Sequence, residues 1–157
     1  MLSFLLMAAD GGGQGTADER ESLNELQRSL RARVETLSRE QNFLLFQKEM
    51  YVSDSKYLLL NVTAKTGQLK YKNRILKDFR FLLSGNKVRT GMLVLAKKTE
   101  GKGGRHALIF GDTLILQWKR TTVPPHEKDI PFLSLTKRDL QSVFYAVEPG
   151  ARAYVLR

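Results

Sequence analysis

Short strand-like runs separated by turns fill the chain after Val52, and they constrain the fold more than any other feature. The run "KYLLLNVT" is followed by the turn "AKTG", the run "QLKYK", the turn "NR" and the run "ILKDFRFLL". Apolar and β-branched runs bounded by such turns predict a three-stranded meander. The later runs "MLVLAKK", "HALIFG", "TLILQWK" and "ARAYVLR" bring the expected total to seven strands. We therefore predict a mainly β fold.

Helical patterns precede and follow these strands. Thr16 opens a capping-box sequence, and no Gly or Pro interrupts the chain from there to about Met50. Near the other end, Thr136 is a suitable N-cap, and Pro149 and Gly150 are typical of a helix end. The sequence thus predicts an N-terminal helix and one C-terminal helix before the last strand.

The N-terminal helical segment carries a leucine repeat with a period of seven residues. The repeat consists of Leu23, Leu30, Leu37 and Leu44. The companion positions of a coiled-coil seam are polar at Arg33, Glu40 and Gln47. Two interpretations remain open: a weakly self-associating helix, or a helix that packs on its own domain.

Three segments are expected along the chain. Residues 1–15, "MLSFLLMAADGGGQG", are apolar and glycine-rich, and they are interpreted either as the remnant of a signal or anchor or as a disordered N-terminus. Residues 16–50 form the amphipathic helix or stalk. Residues 51–157 form the β domain.

The charge of the chain is uneven. The formal net charge is +10, of which residues 1–50 contribute −2 and residues 51–157 contribute +12. A basic domain favours an anionic partner such as nucleic acid, an acidic lipid surface or an acidic wall polymer. The residues expected to form the basic surface are Lys97, Lys98, Lys102 and Arg105. The absence of cysteine excludes disulfides, thiolate nucleophiles and sulfur-based zinc sites.

The order of these elements resembles the L,D-transpeptidase catalytic domain of bacterial peptidoglycan enzymes. The segments that carry the resemblance are "YLLLNVTAKTGQLKYKNRILKDFRFLLSG" and "FLSLTKRDLQSVFYAVEPGARAYVLR", so it covers about residues 56–157. The resemblance implies an L,D-transpeptidase-like β-sandwich, a location in the cell envelope or periplasm, and peptidoglycan or another anionic wall or membrane component as partner. A cytoplasmic location is the alternative.

The catalytic positions of that family hold other residues here. The resemblance places the nucleophilic cysteine at Phe132, the histidine at Gln117 and an arginine at Ser134. Neither a phenylalanine nor a glutamine can supply a thiolate or a base. We also expect Ser134 to point away from position 132 and thus not to replace the nucleophile. The family chemistry is therefore expected to be lost, and we expect no catalytic residue.

A ligand groove is expected where the catalytic cleft of the family lies. Its candidate residues are Trp118, His126 and Phe132. His126 is followed by Glu127 and Asp129, but a single histidine in a loop is not a convincing metal site, and we expect no metal and no cofactor.

The sequence therefore predicts a non-catalytic L,D-transpeptidase-like domain that binds peptidoglycan or another anionic envelope component. The alternative is a basic nucleic-acid-binding β domain, with Lys70, Tyr71 and Lys72 as its platform. Strand alternation argues against that platform, because it places the Tyr71 ring on the opposite face from the two lysines.

Overall fold

The computed structural model describes residues 14–85, 88–101, 105–118 and 130–157. Within these ranges lie two helices and nine strands. In chain order they are α1 (Gln14–Val52), β1 (Lys56–Asn61), β2 (Thr66–Tyr71), β3 (Arg74–Ser84), β4 (Gly91–Val94), β5 (Lys97–Gly101), β6 (Arg105–Phe110), β7 (Leu114–Gln117), β8 (Phe132–Leu135), α2 (Lys137–Ala146) and β9 (Arg152–Leu156).

The strands of the described ranges form one sheet with the order β4-β9-β1-β2-β3-β8-β7-β6-β5. The β1–β9 and β7–β8 pairs are parallel, whereas the other pairs are antiparallel. The predicted mainly β fold, with an N-terminal helix and a C-terminal helix before the last strand, is confirmed. The predicted number of strands is wrong, since "MLVLAKK" divides into β4 and β5, and "FLSL" forms β8.

The sheet curls because its two edge strands follow one another in the chain. Leu95 and Ala96 connect β4 at one edge to β5 at the other. The Leu95 N–H donates to Ala151 O (2.8 Å), while the Ala96 N–H donates to Ile109 O (2.9 Å). Since Ala151 precedes β9 and Ile109 lies in β6, these two bonds join the opposite ends of the sheet.

The main core lies on one face of the curled sheet. Leucines of β1, β6, β7 and β8 are almost fully buried there, among them Leu60, Leu108, Leu116 and Leu133. The helix α2 contributes to the same core through Leu140, Val143 and Phe144. The predicted N-cap is confirmed, because Thr136 Oγ1 accepts a hydrogen bond of 3.1 Å from the Asp139 N–H.

A second, smaller core holds the end of α1. Phe46 and Met50 are buried against Tyr57, Leu59 and Tyr154. Residues 41–157 thus form one compact unit that includes the last turns of α1, and the residues up to Glu40 form a separate unit. Leu44, the last leucine of the heptad repeat, takes no part in this packing and is 63% exposed. Neither described helix combines the length and apolarity needed to cross a membrane.

Candidate functional site

The parallel strands β7 and β8 bring together the three positions at which the family resemblance places the histidine, the cysteine and the arginine. In their register Ile115 pairs with Phe132, and Gln117 pairs with Ser134. Paired residues of neighbouring strands point to the same face of a sheet, as do residues two apart on one strand. Gln117, Phe132 and Ser134 therefore share one face, called here the Gln117 face.

The side-chain directions on β8 correct one expectation. Leu133 and Leu135 lie in the main core, while Phe132 and Ser134 alternate with them on the opposite face and are half-buried. The expectation that Ser134 points away from position 132 is wrong, because side-chain direction in a strand repeats every two residues. Ser134 thus lies beside Phe132 and opposite Gln117.

On the Gln117 face, the residues of β7 are buried, whereas those of β8 and β3 are more exposed. Gln117 is only 2% exposed and Ile115 only 3%, so the β7 residues of this face lie below the surface. On the other side of β8, Leu82 of β3 pairs with Ser134 and is 68% exposed. A ligand at this face would therefore contact Leu82, Phe132 and Ser134 before it reached Gln117. Leu82 was not among the predicted groove residues, although its position between Phe81 and Leu83 in β3 indicates an outward side chain.

Trp118, the second groove candidate, is not placed with Phe132. Trp118 packs against the main core, and the Lys137 Nζ lies 5.6 Å from the centroid of its ring. The indole therefore packs on the core beside the first turn of α2, and it does not lie on the Gln117 face. His126 lies outside the described residues. In the part of the chain that the structure describes, no group of three or more acidic or histidine side chains could hold a metal ion.

The described residues of the expected basic surface do not all point to the same side of the sheet. Lys97 and Arg105 are exposed, and the strand registers place both on the Gln117 face. Lys98 alternates to the core side and is engaged there: its Nζ donates to Val147 O (2.8 Å) and lies 4.6 Å from the Phe144 ring centroid. Lys98, which was expected on the basic surface, is therefore mostly buried and engaged with Val147 and Glu148. Lys102 lies outside the described residues.

The buried His106 was not among the predicted site residues. His106 is 3% exposed and stacks on Phe144, with ring centroids 4.3 Å apart. Its Nδ1 lies 4.0 Å from Glu100 Oε1 and has no hydrogen-bond partner among the described residues. The signal was present in "HALIFG", where His106, Leu108 and Phe110 occupy alternate positions and so share the core face.

The platform of the alternative function is also rearranged. Lys72 adopts a positive φ of 54°, which ends the extended conformation after Tyr71. The Lys72 Nζ therefore lies 5.5 Å from the Tyr71 ring centroid, and Asp54 binds both side chains, at 3.1 Å from the ammonium and 3.2 Å from the hydroxyl. The Asp54 carboxylate raises the pKa of Lys72. The expectation that Tyr71 and Lys72 lie on opposite faces is wrong, and both side chains interact with Asp54.

Chemically, the described part of the Gln117 face offers an amide, an aromatic ring, a hydroxyl and an exposed aliphatic side chain. A serine hydroxyl becomes a nucleophile only when a base lies within hydrogen-bond distance. Neither Gln117 nor Phe132 is such a base. These residues offer apolar contact and hydrogen bonding, and Lys97 and Arg105 add positive charge on the same face.

No protein-family model matches the sequence, and no curated protein sequence matches it. Solved structures do resemble the fold. The catalytic domain of the Enterococcus faecium L,D-transpeptidase has a TM-score of 0.53 at 8% identity over 67% of this chain and 99% of that one. L,D-transpeptidase 1 of Mycobacterium tuberculosis has a TM-score of 0.52 at 14% identity over 67% of this chain.

The longer L,D-transpeptidase structures are matched only in part. This chain spans 63% of the M. tuberculosis structure and 50% of a cysteine-to-serine mutant of the E. faecium enzyme, which has a TM-score of 0.50 at 11% identity over 65% of this chain. Identities this low establish the fold alone. The chain therefore has the fold of an L,D-transpeptidase catalytic domain.

Proposed function

We propose that this chain is a non-catalytic L,D-transpeptidase-like domain that binds peptidoglycan, or another anionic component of the cell envelope, at the Gln117 face. One observation carries the proposal. Gln117 and Phe132 lie on neighbouring parallel strands, on one face, at the positions where the family resemblance places the histidine and the cysteine. On this proposal the scaffold of the site is kept, while an amide and a phenyl ring stand in place of its two chemical groups.

The surroundings of the site support binding rather than cleavage. Leu82 and Phe132 supply apolar area, and Ser134 supplies a hydroxyl. Lys97 and Arg105 lie on the same face and favour an anionic ligand. Peptidoglycan carries both kinds of group, since its stem peptides present carboxylates and its glycan strands present sugar faces. The envelope location belongs to the same proposal.

Absence of turnover is the first test. Purified protein is incubated with peptidoglycan stem peptides, and exchange and hydrolysis products are measured against heat-inactivated protein. We expect no product above that control, and the single variant F132C is expected to remain inactive because the base is missing as well. Product formation by the natural chain would contradict the non-catalytic part of the proposal.

Binding is the second test, and it separates a specific ligand from general attraction to anions. Retention on purified peptidoglycan is measured at low and high salt for L82A, with V94A on β4 as a control, where Val94 is also an exposed aliphatic side chain. We expect L82A to weaken retention at high salt and V94A to leave it unchanged. Apolar contacts are insensitive to salt, whereas phosphate neutralisation is strongly salt-dependent.

Charge variants complete that test. The double variant K97E/R105E is compared with K56E/R74E, which makes the same change in net charge at exposed positions elsewhere. We expect K97E/R105E to weaken retention at low salt more than K56E/R74E does. If all retention disappears at high salt and follows net charge alone, with nucleic acid bound equally well, the peptidoglycan proposal is wrong and unspecific polyanion binding replaces it.

A further inference from the structure

The helix α1 carries a continuous stripe of exposed apolar side chains. Each member of the stripe is between 53% and 63% exposed, and the members are Leu23, Leu26, Leu30, Val34, Leu37, Leu44 and Leu45. At about 100° per residue, these positions fall within an arc of about 100° on one side of the helix. At a rise of about 1.5 Å per residue the stripe is roughly 33 Å long. Exposed apolar surfaces of this extent are typical of interaction sites.

Leu44 and Leu45 lie on a side of α1 that does not pack on the sheet. Within residues 41–157, the helix is anchored to the sheet by Phe46 and Met50, which are 4% and 1% exposed. Leu44 precedes Phe46 by two residues, which corresponds to a rotation of about 200° around the helix axis. The face with Leu44 and Leu45 is therefore opposite the anchored face. The interpretation that the leucine repeat packs on its own domain does not hold for these residues.

The heptad spacing of the stripe suits a second helix of the same kind. Leu23, Leu30, Leu37 and Leu44 occupy the first seam position of successive heptads, and helices with this spacing pack against one another side by side. The second seam position is occupied in turn by Leu26, Arg33, Glu40 and Gln47. The two charged residues in that position decide how a second copy can align.

The seam charges favour an antiparallel pair. In a parallel, in-register pair, each Arg33 would face the partner's Arg33, and each Glu40 would face the partner's Glu40, which is destabilising. In an antiparallel pair centred on Leu37, Arg33 lies within one residue, or about 1.5 Å along the axis, of the partner's Glu40, and by symmetry Glu40 lies equally near the partner's Arg33. The same alignment brings Leu30 level with the partner's Leu44.

We propose that the chain forms a homodimer through α1, with two α1 helices packed antiparallel around Leu37 and Arg33 of each copy paired with the partner's Glu40. The interface is isologous, as expected for a twofold dimer. The pairing involves only residues of α1, so the proposal is independent of what the Gln117 face binds.

The mass of the full chain over a dilution series tests the dimer. Sedimentation equilibrium is expected to show a dimer that dissociates on dilution, and L30D is expected to give a monomer. The control is A32D, which introduces the same charged side chain on the opposite side of the helix, where Ala32 is exposed. A concentration-independent monomer for the natural chain, or an L30D protein that dimerises as well as A32D does, would overturn the proposal.

Charge reversal tests the pairing of Arg33 with Glu40. R33E places a second carboxylate close to the partner's Glu40 in each of two symmetric pairs, and we expect a rise in the dissociation constant of roughly tenfold or more. R33E/E40R restores opposite charges in the antiparallel arrangement, so dimerisation should recover. In a parallel pair both variants would keep like charges face to face, and a double variant no better than R33E would contradict the antiparallel alignment.

Cross-linking determines the orientation directly, because the natural chain has no cysteine. In the antiparallel pair, L30C in one copy lies level with L44C in the other, and a mixture of the two variants is expected to form a disulfide. Two L44C copies would be separated by roughly 20 Å along the helix axis, too far for a disulfide. Efficient cross-linking of L44C with itself, without formation of the mixed product, would show a parallel pair.

Discussion

Lys77 of β3 and Asp139 of α2 form an ion pair of 2.9 Å beneath the first turn of the helix, with side chains only 24% and 21% exposed. Lys77 shares its strand face with Phe79 and Phe81 and thus points towards the core side. It also donates to Ser142 Oγ at 3.3 Å. This pair anchors the first turn of α2 to β3. The strand β8, which carries Phe132 and Ser134 of the Gln117 face, ends just before this helix.

The ion pair predicts a loss of stability in acid. Burial alone would raise the pKa of Asp139, but hydrogen bonds from Lys77 and Thr136 and the Lys77 charge outweigh it, so the pKa lies below its usual value of 3.8. A carboxyl whose pKa is depressed by folding stabilises the protein above its unfolded pKa, and this contribution is lost as pH falls through the folded pKa. We expect D139N to lower the free energy of unfolding by about 1 kcal/mol at pH 7.

Urea denaturation of the natural chain and of D139N from pH 7 to pH 3 measures this effect. The difference between the two proteins should shrink below about pH 4, as Asp139 becomes protonated. K77M serves as the partner control and should remove the same pH dependence. A difference that stays constant across this pH range would show that the charge of Asp139 is not the cause.

The N-cap of α2 gives a second prediction. Thr136 Oγ1 accepts from the Asp139 N–H and donates to Asp139 Oδ2 at 2.8 Å. T136A removes both bonds and should lower the free energy of unfolding by about 1 kcal/mol. T136S keeps the hydroxyl and should stay within a few tenths of a kcal/mol of the natural chain. Equal losses for the two variants, measured by thermal or urea unfolding, would assign the effect to the methyl group instead.

Gly67 in β2 gives a third prediction, because the Phe79 ring occupies the space of a side chain there. A Cβ at position 67 would lie 2.3 Å from Phe79 Cε2 and 2.4 Å from Cζ. G67A should therefore destabilise the protein by about 1–3 kcal/mol through overpacking. In the double variant G67A/F79L the smaller side chain leaves room for the methyl group, so the two changes should be less than additive. Strict additivity in urea denaturation would contradict the steric explanation.

The anchor of α1 gives a fourth prediction. Phe46 is buried between Tyr57 and Tyr154, with ring centroids 5.5 Å and 5.0 Å away. F46A should cost about 3–5 kcal/mol of stability. The adjacent L45A is the matched control, because Leu45 is 56% exposed and its truncation should change monomer stability by less than about 0.5 kcal/mol. Similar losses for both variants, measured at a concentration where the protein is monomeric, would show that the helix is anchored differently.

Local signals in the sequence determined much of the fold. Thr136 and Asp139 predicted the start of α2 because capping depends on residues only three positions apart. The absence of Gly and Pro up to Met50 predicted the long α1 in the same local way. Alternation and turns located seven strand-like runs. The strand β8 was not predicted, since four residues "FLSL" have too little local pattern and depend on pairing with β3 and β7.

The tertiary structure decided what the side chains of the candidate site do. Sequence spacing could not show that Lys98 turns inwards to Val147 while Lys97 remains exposed, because this depends on which face of β5 meets α2. Nor could it show that Trp118 joins the core, or that Leu82 lies next to Ser134, a contact between residues far apart in the chain. The period of the leucine repeat was evident from the sequence alone. That its face is opposite the anchored face of α1 depended on Phe46 and Met50 packing against β1 and β9, because long-range burial selects which side of a helix meets the sheet.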